Sequence, residues 1–167
     1  MSLHDHVIRK PPGVGAYETH RMLEGLTGGG RPQFVDMGDR LIVRGPQELT
    51  PDGRPLPDVK AGEIRAFELR ASCGVKAGSR HMYFELKDWR SRHGWLERRS
   101  ARSGFEVLTV NVTARRVKID KGGRGFMMDR SDFTGILRVT DPEAFTRTLA
   151  VGIGGPGKAF GHGMLVV

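Results

Sequence analysis

The stretch DFTGILRVTDPEAFTRTLAVGIGGPGKAFGHGMLVV, Asp132–Val167, changes its pattern three times. Asp132–Thr140 is rich in β-branched and aromatic residues and reads as a strand. Asp141 then Pro142 is a helix start: the carboxylate accepts from free backbone N–H groups, and the proline lacks an N–H where none is needed. The helix runs to Val151 and meets a track with 6 glycines among the 16 residues of Gly152–Val167. MLVV closes the stretch as an apolar strand. Strand, helix and strand in this order form the second half of a βαββαβ unit.

Working outward, GFEVLTVNVT (Gly104–Thr113) reads as a strand. RRVKIDKGGRGFMMDR (Arg115–Arg130) reads as a protruding basic hairpin that turns at Gly122–Gly123. DWRSRHGWLERRSAR (Asp88–Arg102) is a helix with Asp88 as cap. Trp89, Leu96 and either His93 or Trp95 fall at helical spacing on its buried face. HMYFELK (His81–Lys87) supplies a first strand. The first half of the chain repeats the order: a short strand at His6–Lys10, the turn PPGVG, a helix Ala16–Leu26 stopped by TGGG, and a hairpin QFVDMGDRLIVR turning at Gly38–Asp39. Gly45–Gly62 holds 4 prolines and reads as loop, and AGEIRAFELRAS (Ala61–Ser72) reads as the closing strand. The fold class is α+β: two tandem ferredoxin-like (RRM-like) domains, residues 1–76 and 80–167, the first lacking its second helix.

The 167 residues carry 27 Lys and Arg against 19 Asp and Glu, a net charge of +8. The excess is uneven. Residues 87–130 hold 12 basic and 5 acidic residues, whereas residues 1–83 hold 12 and 10. A basic block of this kind points to a polyanion, most often nucleic acid. The one cysteine, Cys73, permits no intrachain disulfide and no thiolate cluster, so no structural metal or cofactor is expected. The first ten residues contain no apolar run of signal-peptide type, and no segment approaches membrane-span length, so a cytoplasmic protein without membrane contact is expected.

The glycine track contains G-x-G-x-x-G at Gly152, Gly154 and Gly157, but it follows a helix and precedes a strand. A dinucleotide site needs the opposite order, so that pyrophosphate meets a helix N-terminus. Two uses remain open. Gly154, Gly155 and Gly157 let backbone lie close to a sugar-phosphate chain, with Lys158 as the cation, or the glycines serve only the return of the loop to the sheet.

On the helix Ala16–Leu26, Thr19, Met22, Leu23 and Leu26 share one face, and Tyr17, His20, Arg21 and Glu24 share the other. Histidine exchanges protons near neutrality, tyrosine orients by hydrogen bonding, and arginine binds phosphate. Either Tyr17, His20 and Arg21 form a metal-free set for phosphodiester cleavage, or they lie on a solvated face. His4 and His6 sit near an end expected to be mobile, and His81 and His93 lie in basic surroundings. His162, between two glycines, ranks second to His20 as an acid–base candidate.

The pattern GILRVT, DPEAF, G-I-G-x-x-x-K-A-F-G-x-G and an apolar finish resembles the carboxyl end of the CRISPR repeat-processing endoribonucleases of the CasE type, in the RAMP superfamily. HGWLERRSARSGFEV, FELRASCGVKAG and YETHRML extend the resemblance over most of the chain. It implies two ferredoxin-like domains, and metal-independent cleavage of precursor RNA at the base of each repeat hairpin. The 2′-hydroxyl attacks, leaving a 2′,3′-cyclic phosphate and a 5′-hydroxyl. It places the catalytic histidine on His20 and its partner on Tyr17, with Arg21 as a candidate for phosphate charge. The hairpin residues Arg115, Arg116, Lys118, Lys121, Arg124 and Arg130, and the track residues Gly154, Gly155, Gly157 and Lys158, would meet RNA. Implied partners are precursor and guide RNA and other subunits of a Cascade-like complex. The rival reading is a repeat-RNA-binding subunit that cuts poorly or not at all. Some members carry a lysine five residues after the histidine, and that place here is Gly25.

Overall fold

The computed structural model describes residues 2–167. Among the described residues there are two four-stranded antiparallel sheets, one two-stranded hairpin and three α-helices. The first unit runs β1 (Leu3–Arg9), α1 (Ala16–Leu26), β2 (Gln33–Asp36), β3 (Arg40–Pro46) and β4 (Arg54–Pro55), with sheet order β2-β3-β1-β4. A single 3₁₀ turn, Gln47–Leu49, stands in the proline-rich segment where a second helix would lie. The second sheet has the order β10-β5-β9-β8, from β5 (Ile64–Ala71), β8 (Phe105–Lys121), β9 (Arg124–Val139) and β10 (Leu165–Val166). Its helices are α2 (Trp89–Arg102) and α3 (Pro142–Val151). Both units therefore place their first and third strands at the centre, as a βαββαβ chain requires.

One strand changes sides relative to the sequence reading. Ile64–Ala71, read as the last strand of the first unit, pairs with β9 and β10 at the heart of the second sheet. Arg54–Pro55 closes the first sheet instead, against His4 and Asp5. The segment read as the second unit's opening strand contributes Arg80–Tyr83 (β7), which pairs only with Gly74–Ala77 (β6) in a separate two-stranded hairpin. Alternation identifies a strand but not its partner, and the partner here is decided by the core. Phe67, Leu69 and Ala71 alternate inward against Trp95, Phe105, Phe133 and Phe145.

Local signals behave as their chemistry requires. Asp88 accepts from Ser91 N at 3.0 Å, and Asp141 accepts from Glu143 N and Ala144 N, each at 3.1 Å. The α2 face differs from expectation: Arg92, Trp95 and Leu96 are buried, and Trp89 is exposed. His4 and His6 are buried in β1, with His6 Nδ1 2.7 Å from Thr50 Oγ1 and Nε2 2.9 Å from Pro46 O, so this end is ordered sheet.

A small cluster of Leu23, Phe34, Leu41 and Val43 holds α1 on the first sheet. The two units are joined by polar side chains. Buried Arg44 on β3 donates to Asp5 and also to Leu149 O (2.9 Å) and Leu165 O (3.0 Å). Gln33 Nε2 donates to Leu149 O and Ala150 O. The first unit thus caps the Leu149 and Ala150 carbonyls at the end of α3, which the helix itself leaves free. Among the described residues no helix is long and apolar enough to cross a membrane.

Candidate active site

Thr19 and Leu23 seat α1 on its sheet and turn His20 to the other side. That side is not bare solvent. The His20 side chain is only 16% exposed, its ring meets Phe160 edge-on at 6.3 Å, and its Nε2 lies 3.2 Å from Glu24 Oε1. His20 opens on a cleft of about 400 Å³ that Arg31, Gln33, Val151, Gly155 and Lys158 also line. These residues come from α1, the loop before β2 and the first residue of that strand, the end of α3 and the glycine track, so the cleft lies at the seam of the two units. Arg21 is 66% exposed and reaches Glu24 at 3.6 Å. Gly25 faces open space.

The basic hairpin is the far end of β8 and β9, two continuous strands of 17 and 16 residues. Side chains alternate on a strand, and the register pairs Arg115 with Arg130, Ile119 with Phe126 and Lys121 with Arg124. This face turns toward α1. Lys121 Nζ stands 5.8 Å from the centre of the Tyr17 ring, and Phe126 meets Phe160 at 5.7 Å. Phe160 therefore touches both the hairpin and His20. On its other side a second groove, about 500 Å³, is lined by Arg70, Arg115, Lys118, Arg130 and His162. Arg130 is held by Asp132 at 3.1 Å, and Lys118 lies 3.6 Å from Asp120. Arg115, Lys118, Lys121 and Arg124 are exposed.

Arg116 departs from the expected set. It points to the opposite face, bonds the buried Asp129 carboxylate and donates to Phe84 O at 2.7 Å. Its guanidinium belongs to an internal ion network with Arg92, whose Nη1 donates to Asp129 Oδ2 at 2.9 Å.

Two glycines of the track are demanded by the loop's own path. A Cβ on Gly157, at φ +81°, would lie 2.8 Å from His162 Nδ1 and 2.9 Å from Met128 Sδ. One on Gly154 would press on Trp95. Gly155 faces open space and borders the His20 cleft. Lys158 Nζ donates to Val151 O at 3.0 Å across the cleft mouth.

His162 is 6% exposed, and its Nδ1 lies 2.7 Å from Ser72 Oγ. Ser72 gives its one proton to Asp129 O at 2.8 Å, so Nδ1 must be the donor to Ser72. This bond pins the ring, and the loop that carries it, to Ser72. Burial, with Arg70 and Arg130 nearby, pushes its pKa down to about 4. Below the unfolded value of about 6.5 the unfolded chain binds a proton that the folded one refuses. Stability on the order of 3 kcal/mol should be lost as pH falls from about 6.5 to 4. Chemical denaturation across that range should be flatter in His162→Gln by this amount. An equal slope in both proteins would show that His162 is not the titrating group.

A family model described as CRISPR associated protein matches residues 16–167. The chain belongs to this family. The CRISPR-associated endoribonuclease Cse3 of Thermus thermophilus is 32% identical over 124 residues, 66% of this chain and 58% of that protein. The chain thus matches little more than half the length of that curated relative. Among solved structures, Thermus thermophilus Cse3 bound to an RNA representing a pre-cleavage complex superposes with a TM-score of 0.73 at 23% identity, covering 99% of this chain and 97% of that one. Cas6e from Escherichia coli K-12 gives 0.72 at 20% identity, covering 99% and 98%. These likenesses carry the fold: two four-stranded sheets in the same arrangement.

Arg31, which lines the cleft, and Glu24 and Phe160, which flank His20 beside it, were not assigned parts by sequence reasoning. Glu24 was visible as the i+4 neighbour of His20. Arg31 and Phe160 carry no local signal, because they reach the cleft only through tertiary folding.

Proposed function

We propose that the protein is a metal-independent endoribonuclease that binds CRISPR repeat hairpins and cleaves precursor RNA by 2′-hydroxyl attack. The observation that supports this most is the placement of His20, partly buried, in one cleft with Lys158 and Arg31 and one turn from Tyr17. The attacking 2′-oxygen bonds to phosphorus and the 5′-oxygen leaves, giving a 2′,3′-cyclic phosphate and a 5′-hydroxyl. One proton leaves the 2′-hydroxyl and one reaches the 5′-oxygen. His20 is suited to either transfer, worth typically about 10²–10⁴ in rate. Tyr17 orients the reacting groups. Arg21, Arg31 and Lys158 offset the charge that grows on the phosphate, a task the glycine at position 25 cannot perform. Arg115, Lys118, Lys121, Arg124 and Arg130 contact the stem, and a slim hairpin suits the narrow major groove of A-form RNA. Gly155 lets the strand approach the cleft, whereas Arg116, Gly154 and Gly157 hold the surface in shape. On this reading the protein works in the cytoplasm with other subunits of a Cascade-like complex.

Labelled repeat RNA incubated with the protein in EDTA should be cut at one position, leaving a cyclic phosphate. RNA with a single 2′-deoxy nucleotide upstream of that position should bind and stay whole, since its nucleophile is missing. A deoxy substrate cut at the same place would overturn the mechanism. Tight binding without any cutting would make the protein a non-catalytic subunit.

A further inference from the structure

Glu24 is one turn beyond His20 on the same face of α1, and its carboxylate stands 3.2 Å from His20 Nε2. Both side chains are mostly buried, at 16% and 26% exposure, so water competes poorly for either. The other Glu24 oxygen faces Arg21 at 3.6 Å, which steers the carboxylate from the far side. Phe160 meets the imidazole edge-on and limits its rotation. An ionised carboxylate only accepts hydrogen bonds, so the nitrogen beside it is the one that carries the proton in the neutral ring. The lone pair is then on Nδ1. When the ring gains a second proton, the same carboxylate offsets the new charge.

We propose that Glu24 is a positioning residue for His20. It fixes the tautomer with the proton on Nε2, reserves Nδ1 for proton exchange with RNA, and stabilises the imidazolium that results. This rests on the reading of His20 as the acid–base group. It also makes a distinctive claim, because Glu24 is an acid beside a cleft proposed to hold a polyanion. Were it only a surface charge, its removal would tighten RNA binding and leave cutting unchanged or faster.

The test compares the full-length protein with Glu24→Leu and Glu24→Gln under single-turnover conditions. Glu24→Leu should bind repeat RNA as tightly as the parent, or more tightly, and cut it about tenfold more slowly or worse. Glu24→Gln retains an acceptor oxygen but not the charge, so its loss should be smaller, roughly threefold. In ¹⁵N-histidine-labelled protein, with His20 assigned by its absence in His20→Ala, the parent should show an Nε2-bound proton protected from water. That signal should disappear in Glu24→Leu. Helical circular dichroism should match among all three proteins. The proposal is overturned if Glu24→Leu cuts at the parental rate, if its rate falls only in step with weaker binding, or if the Nε2 signal is unchanged. Should the parent cut no RNA at all, the proposed function fails, and the Nε2 signal still decides the pairing.

Discussion

His20→Ala is expected to bind repeat RNA within about threefold of the parent and to cleave it at least ~100-fold more slowly. The asymmetry follows from the position of the residue. On the proposed reading, RNA is held by the charges of Arg115, Lys118, Lys121, Arg124, Arg130 and Lys158, and His20 is one imidazole at the edge of that surface, so its loss removes little ground-state attraction. Of the two imidazoles that line the cleft, His162 is enclosed, so removal of His20 takes away the accessible proton carrier in the transition state. Tyr17→Phe should cost less, because it deletes an orienting hydroxyl. The check is a paired measurement of affinity by filter binding and of single-turnover rate, at one salt concentration. Cleavage by His20→Ala at the parental rate would leave His20 a packed helix residue. Attention would not then pass to His162, whose ring is enclosed between Ser72 and Gly157.

Asp129→Ala is expected to destabilise the fold by about 3–5 kcal/mol. Asp129 and Arg92 are both fully buried. The carboxylate also accepts from Cys73 N at 3.0 Å and from Ser131 Oγ at 2.8 Å, and it bonds Arg116. Removing it strands two guanidinium groups, one of them without access to water. Whole domains are stable by only about 5–15 kcal/mol, so the loss should be plain in a urea midpoint. Replacing the pair together, as Asp129→Leu with Arg92→Met, should recover a large part of it, because the buried charge goes with its partner. A double variant as unstable as Asp129→Ala would show that Arg92 was not the cause.

Much of this was legible in the chain. Caps, turns and the glycine stops are local chemistry, and Asp88, Asp141 and Gly122–Gly123 each act where they stand. Partnership across the chain was not legible. The run Ile64–Ala71 is an unmistakable strand, yet nothing in it says that β9 and β10 will flank it. Similarly, hydropathy puts Trp89 inside and Arg92 outside. The structure reverses them because Asp129, 37 residues away from Arg92, supplies a buried countercharge. His20 was legible as lying opposite the core face of α1. The ring that shields it, Phe160, comes from the other unit, and no helical period reports that.

The guanidinium of Arg44 has a consequence for how the protein is made. Its acceptors Leu149 O and Leu165 O lie 105 and 121 residues downstream. At 5–20 residues per second, a ribosome needs about 6–24 s to supply the second of them. During that interval Asp5 is the one side-chain partner of Arg44 already made. Until then the guanidinium can pair with Asp5 but not with the two carbonyls that complete its shell. His20 gains its companions from the glycine track only when residues 149–165 arrive. Closing the seam between the units and assembling the cleft around His20 become the same late event, so a prematurely terminated chain would present neither a closed interior nor a complete cleft.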